Sequence, residues 1–193
     1  MRYLIRFANR DGYTSENRES IAERIREAVN NGTARAVNVR VAGPAVEFDL
    51  FADSEAEVRA AVTRLRPFGE ILTVRRLDGT PPKLPPKEEV LHEARRLFNE
   101  ERFWEVHETL EDLWRRESGA ERDLLQGLIL FAAAYVHQQR ARYPRVLPVL
   151  ERAMGKLRGS SLDRYGPFDL TLIRAKGESY LMSGQMTPFH LPD

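Results

Sequence analysis

Two hydrophobic periodicities divide the chain. Up to residue 78, apolar and polar positions alternate over short segments, which is typical of half-buried β-strands, and two stretches between them have helical spacing. This pattern predicts strands over 2–8, 36–42, 45–51 and 71–76 and helices over 17–31 and 54–66. Ser54, followed by Glu57 three residues later, matches the capping box that begins a helix. The β-α-β-β-α-β order predicts a ferredoxin-like domain.

From residue 87 onwards the apolar positions recur with the 3.6-residue period of helices. This period predicts helices over 87–99, 101–117, 120–142, 144–157 and 169–182. Between the halves lies the segment GTPPKLPP, whose paired prolines favour a stiff, extended linker. The predicted fold class is therefore α+β. A ferredoxin-like βαββαβ domain over residues 1–78 is followed by a proline-rich linker over 79–86 and an all-α helical bundle over 87–193.

Composition and charge narrow the function classes. The 193 residues include no cysteine, which excludes disulfides, zinc–thiolate sites, iron–sulfur clusters and a cysteine nucleophile. Thirty basic and 29 acidic residues leave a net charge of +1, so no global field draws the protein to nucleic acid. The predicted sheet carries Glu47 and Asp49 on the face where an RNA-binding sheet needs stacking aromatics. We expect no nucleic-acid partner, and we expect this face to pack against the second half or a second copy of the chain in a homo-oligomer.

Neither a membrane span nor a targeting segment is visible. The longest apolar run covers residues 124–136 and includes Gln126, which is too short for a membrane helix. The first residues lack a long apolar core and a small-residue cleavage site. The sequence therefore predicts a cytoplasmic protein with no membrane partner.

Candidate chemistry is concentrated in the stretch ERFWEVHETLEDLWRRE. On a helical wheel, His107 lies at the edge of the apolar arc, and Glu111 is bracketed by His107, Trp104 and Trp114. Because a carboxylate among aromatic side chains is costly to bury alone, it needs a partner one helical turn away. His107 and Arg115 are the natural partners of Glu111.

The following helix supplies two further polar side chains. Gln126 and His137 are eleven residues apart and so lie on one stripe of a helix that is otherwise apolar nearly all round. If this helix runs antiparallel to its predecessor, Glu111 lies opposite the neighbourhood of Gln126. The sequence thus predicts a pocket that could take a small-molecule ligand. It would be lined by Trp104, His107, Glu111, Trp114, Gln126 and His137.

Three stretches of the second half, FNEERFWEVHETLEDLWRR, LLQGLILFAAAYVHQQ and YGPFDL, resemble the family known as domain of unknown function 309. The resemblance covers residues 88–193. Its most specific motif falls on His107, Glu108, Leu110, Glu111, Trp114 and Arg115, with the initial spacing shortened to HETLE. Gln126, Gly127 and His137 match the second motif. The resemblance implies a small helical bundle and a metal-dependent hydrolase, and it brings no substrate.

HETLE invites comparison with the zinc motif H-E-x-x-H, in which the two histidines are ligands and the glutamate is the base. Glu111 replaces the second histidine here. His107 and Glu111 could still bind one divalent metal, with Glu108 as the base. A third ligand must come from elsewhere, and His137 or Glu117 are the candidates, His137 alternatively acting as an acid.

A non-catalytic interpretation fits the same residues. His107, Glu111, Arg115 and Gln126 could form a buried hydrogen-bond network that fixes the packing of the helices. The protein would then be a ligand-binding or assembly module with no catalytic role for the cluster. The sequence leaves open which of the two interpretations is correct, which cofactor binds and what the substrate is.

Overall fold

The computed structural model describes residues 1–30, 32–78 and 85–192. Most of the predicted linker, 79–86, lies outside these ranges. The chain divides by its internal contacts into two compact units, Met1–Pro82 with Gln139–Ala141 and Lys83–Gln138 with Arg142–Asp193. Each unit has its own hydrophobic core. The domain boundaries at residues 78 and 87 stay predictions.

The N-terminal unit is a four-stranded antiparallel sheet with helices. Its elements are β1 (Arg2–Ala8), α1 (Arg18–Val29), β2 (Arg35–Val41), β3 (Ala45–Phe51), α2 (Glu55–Leu65), a 3-10 turn (Arg66–Phe68) and β4 (Ile71–Arg76). The strands lie in the order β2-β3-β1-β4. Apolar side chains of α1 and α2 pack with those of one sheet face, such as Ile5 and Phe7. The predicted capping box is confirmed, since Ser54 Oγ accepts a hydrogen bond from Glu57 N and the Glu57 side chain accepts one from Ser54 N.

The other face of this sheet carries a network of ion pairs. Arg40 on β2 donates to Glu47, its cross-strand neighbour on β3, at 2.6 Å and to Asp49 at 3.2 Å. Arg2 and Asn38 also donate to Asp49, at 2.9 and 2.8 Å. Desolvation alone would raise the pKa of Asp49, but Arg40 and the hydrogen bonds outweigh it and lower that pKa. The opposite charges on neighbouring strands are therefore paired with each other.

The C-terminal unit is rich in helices. It contains α3 (Lys87–Asn99), α4 (Phe103–Trp114), α5 (Gly119–Gln139), α6 (Tyr143–Leu157), a hairpin of β5 (Arg164–Tyr165) and β6 (Phe168–Asp169), and α7 (Leu170–Ser183). The mixed α+β class is therefore confirmed. Two helices are shorter than predicted, because Glu101 and Ala141 have left-handed φ angles of 57° and 52° that a helix does not accept.

Aromatic side chains form the centre of this unit's core. The Phe103 ring stacks on Tyr135 with centroids 4.2 Å apart, and Phe98 packs edge-on against both. The segment after α7 returns to this core, where Asn99 exchanges two hydrogen bonds with the backbone of Leu191. Within the described residues, none of the helices combines the length and the apolar character that a membrane crossing requires.

Candidate functional site

Helix α4 positions the candidate residues at the border between core and solvent. Buried apolar residues recur along this helix with helical spacing and form one stripe, which consists of Phe103, Val106, Leu110 and Leu113. His107, Glu108 and Glu111 follow the edge of this stripe, with side chains that are 31%, 50% and 31% exposed. The three side chains are therefore partly exposed and lie at the border between core and solvent.

The three side chains converge. His107 Nδ1 lies 3.4 Å from Glu108 Oε1 and 3.8 Å from Glu111 Oε2. One ligand atom from each residue lies within 4.8 Å of the other two. Nδ1 is itself buried and makes no hydrogen bond in the described part of the chain. Two ligand atoms on a tetrahedral zinc ion stand about 3.4 Å apart, so a small movement of these side chains would bring them to one metal.

Arg115 completes the cluster from one turn further along. Its Nη2 donates to Glu111 Oε1 at 2.9 Å, whereas Glu111 Oε2 faces His107. The arginine side chain is 61% exposed, and an ion pair as open as this one contributes little free energy. Glu111 therefore has one oxygen on Arg115 and its second oxygen on the side of His107.

The two tryptophans of α4 are half-buried and pack against the core. The guanidinium of Arg122 lies 4.0 Å from the centre of the Trp114 ring, which is a cation–π contact. Trp114 therefore stacks on an arginine of α5. The predicted role of Trp104 and Trp114 as pocket walls around Glu111 stays a prediction.

The structure places the candidate residues of α5 differently from those of α4. Gln126 lines a cavity of about 950 Å³ whose walls are built from α5, α6 and the loop after α6. His137 is half-buried two residues before the end of α5. Among the described residues, the group able to share a metal consists of the three α4 residues and includes neither His137 nor Glu117. Glu108, predicted as the base, therefore lies where a third ligand could lie.

Sequence reasoning missed two features of this unit. Arg102 binds Glu105 with two hydrogen bonds of 2.6 and 2.8 Å, and this carboxylate is only 2% exposed. The cavity beside Gln126 also receives Arg152, Gly155 and Lys156 from α6. Their spacing of three and four residues places them on one face of a helix, and that signal was present in the sequence.

The family match found by comparison with known proteins lies in the C-terminal unit. No curated protein matches the sequence. The model of the family described as Domain of unknown function (DUF309) matches residues 91–147, a segment that contains all of α4 and α5. Over these residues the match confirms the resemblance to the domain of unknown function 309 that the α4 and α5 motifs carry.

Proposed function

We propose that the protein is a metal-dependent hydrolase whose divalent metal is bound by His107 and Glu111 on α4. The observation that carries this proposal is the convergence of three ligand atoms within 4.8 Å on an accessible helix face. An imidazole and a carboxylate at positions i and i+4 point to the same side of a helix, as in the H-E-x-x-H zinc motif. Nδ1 of His107 makes no hydrogen bond in the described part of the chain, so it would be available as a ligand in the tautomer that carries its proton on Nε2.

Each residue of the cluster would have a separate role in hydrolysis. A divalent metal held by His107 and Glu111 would act as a Lewis acid and would lower the pKa of a bound water to about 7. Glu108, half-exposed beside His107, would accept the proton of the attacking water. Arg115 holds Glu111 at 2.9 Å and would orient this ligand. The predicted part of His137 as a third ligand or an acid stays a prediction.

A non-catalytic binding or assembly module is the second candidate. The observation that favours it is the bond from Arg115 to Glu111, since an ion-paired carboxylate can serve structure alone. In that case the cluster would stabilise α4 without holding a metal. The two candidates differ in one measurable property, which is metal content.

For the N-terminal unit, we propose the ferredoxin-like fold. The support is the antiparallel order β2-β3-β1-β4 together with the alternation of strands and helices along the chain. A cytoplasmic location, a homo-oligomeric state and the lack of a nucleic-acid partner stay predictions from the sequence.

Metal content tests the proposal directly. Protein purified without a histidine tag would be incubated with Zn²⁺ or Mn²⁺, dialysed and analysed by plasma mass spectrometry. We expect close to one metal per chain in the wild type, and loss of that metal in His107→Ala. His92→Ala, an exposed histidine of α3 outside the cluster, is the matched control and should keep the metal.

Activity would then be assayed with chromogenic ester and phosphoester substrates. Hydrolysis that needs the metal and falls in Glu108→Gln while metal content holds would support the hydrolase. A wild type that retains no metal, combined with a His107→Ala variant that mainly loses thermal stability, would overturn it in favour of the structural network.

A further inference from the structure

The cavity beside Gln126 lies apart from the α4 cluster. It opens between the first half of α5, the second half of α6 and the loop of residues 159–162 that follows. Its volume of about 950 Å³ is at the upper end of the range typical of small-molecule sites. None of His107, Glu108 and Glu111 lines it. Whatever it binds therefore need not touch the proposed metal.

A glycine in the wall of this cavity has no packing reason to be glycine. Glycine is the poorest helix former after proline, so a helical glycine needs an explanation. Gly127 and Gly177 have one, because an added Cβ would lie 2.9 Å from Leu157 Cδ2 in the first case and collide with Met154 Sδ in the second. A Cβ on Gly155, in α6, would meet no described atom within 4 Å. Gly155 is exposed and lines the cavity, so a larger side chain at this position would occupy space that is now open.

The charges of the wall are paired with one exception. Lys156 binds Asp123 at 2.5 Å, and the Tyr165 hydroxyl donates to Glu121 at 2.5 Å. Arg152 stands one helical turn before Lys156 on the same face of α6 and is exposed. Within the described ranges it forms no hydrogen bond and no ion pair. The cavity thus presents one guanidinium whose charge is not compensated.

The rest of the wall combines the polar side chains of Gln126, Ser160 and Ser161 with an apolar part. Leu124 and Leu130 face the cavity from α5, and Leu162 faces it from the loop after α6. Leu162 is 49% exposed, which leaves a large apolar side chain in contact with water. A ligand with an apolar body would remove this surface from water, and this burial would favour its binding.

We propose that this cavity is a binding site for a small amphipathic monoanion, a carboxylate with an apolar body. A guanidinium recognises a carboxylate with two parallel hydrogen bonds, so the head group binds Arg152. The apolar body lies against the leucines in the space that Gly155 leaves open. One uncompensated cation matches a single negative charge, and burial against the leucines favours an anion with an apolar body over a small inorganic one. This site goes beyond the proposed hydrolase and stands independently of it.

Octanoate is the probe for this proposal, and its binding to the full-length protein would be measured by titration calorimetry. We expect saturable binding to the wild type and at least about tenfold weaker binding to Arg152→Gln, because a charge-assisted pair is lost. Gly155→Leu fills the cavity and should abolish binding. Glu151→Leu places the same side chain at an exposed position of α6 outside the cavity and should bind as the wild type does.

Octylammonium and 1-octanol separate charge from hydrophobicity. We expect octylammonium not to bind, and we expect 1-octanol to bind weakly and equally well to the wild type and Arg152→Gln. No saturation by octanoate up to about 10 mM would overturn the proposal. So would unchanged octanoate binding in a folded Gly155→Leu. Should Gly155→Leu fail to fold, Arg152→Gln still decides, since an equal loss of octanoate and 1-octanol affinity in this surface variant would refute carboxylate recognition.

Discussion

Two alanine substitutions, Gly155→Ala in α6 and Gly177→Ala in α7, should change stability in opposite directions. Both positions are inside helices, so both substitutions gain about 1 kcal/mol of helix propensity. Only the surroundings differ. The methyl group at position 155 enters open space, and the one at position 177 is directed at the sulfur of Met154. The comparison therefore isolates the steric contribution.

The magnitude of that contribution follows from packing. Met154 is fully buried and Gly177 is buried as well, so the sulfur has little room to retreat. Overpacking of this kind costs about 1–3 kcal/mol. After the propensity gain is subtracted, Gly177→Ala should be destabilised by about 0–2 kcal/mol. Gly155→Ala should be stabilised by about 1 kcal/mol.

Urea unfolding followed by tryptophan fluorescence measures both changes. The only two tryptophans, Trp104 and Trp114, lie in the C-terminal unit, so the signal reports this unit and not the N-terminal sheet. In a Met154→Ala background the cost of Gly177→Ala should disappear. Gly177→Ala that is as stable as Gly155→Ala would refute the steric cost assigned to Met154, whereas a destabilised Gly155→Ala would refute the claim that Gly155 is unconstrained by packing.

Three further substitutions test local features. Asp169→Ala removes the side chain that accepts a hydrogen bond from a first-turn N–H of α7 at 2.8 Å, and urea unfolding should show a loss of about 1 kcal/mol. Arg102→Gln leaves the buried Glu105 carboxylate without its two guanidinium hydrogen bonds and should cost about 3 kcal/mol in the same assay. A hydrogen bond from Lys87 lowers the pKa of Glu121, so this group stabilises the fold above its unfolded pKa and loses that effect as the pH falls. Melting temperatures measured between about pH 3 and pH 7 should therefore fall less steeply on the acid side in Glu121→Gln, and an unchanged slope would contradict the assignment.

The elements could be predicted because each follows from short-range periodicity. β1, β3, β4 and α3 begin and end at the predicted residues. Errors arise where a single backbone angle ends an element. The helix predicted to reach residue 142 ends at Gln139, shortly before Ala141 adopts a left-handed φ. Alanine is a strong helix former, so the sequence does not predict a left-handed backbone conformation at Ala141.

In the candidate site, too, contacts within one helix could be predicted from the sequence, whereas contacts between helices could not. His107 and Glu111 are one turn apart on a single helix, so their proximity depends only on α4 being helical. A contact from Gln126 to Glu111 requires the rotation and register of α5 relative to α4. Because α5 is apolar nearly all round, no stripe defines which face meets which neighbour. The cavity that receives Gln126 has the same origin in tertiary packing. The spacing of Arg152, Gly155 and Lys156 indicates a shared helix face, but not that this face lines a cavity.

The two proposed sites therefore depend on the fold to different degrees. The α4 cluster is assembled by one helix, and its ligand atoms keep their spacing as long as that helix persists. The cavity exists only where α5 packs against α6, and Gly127 lies close against Leu157 at this contact. We therefore expect a change that shifts α6 to alter the proposed carboxylate binding before it alters the proposed metal site. Loss of both properties together would indicate unfolding of the unit, whereas loss of one alone identifies the site responsible.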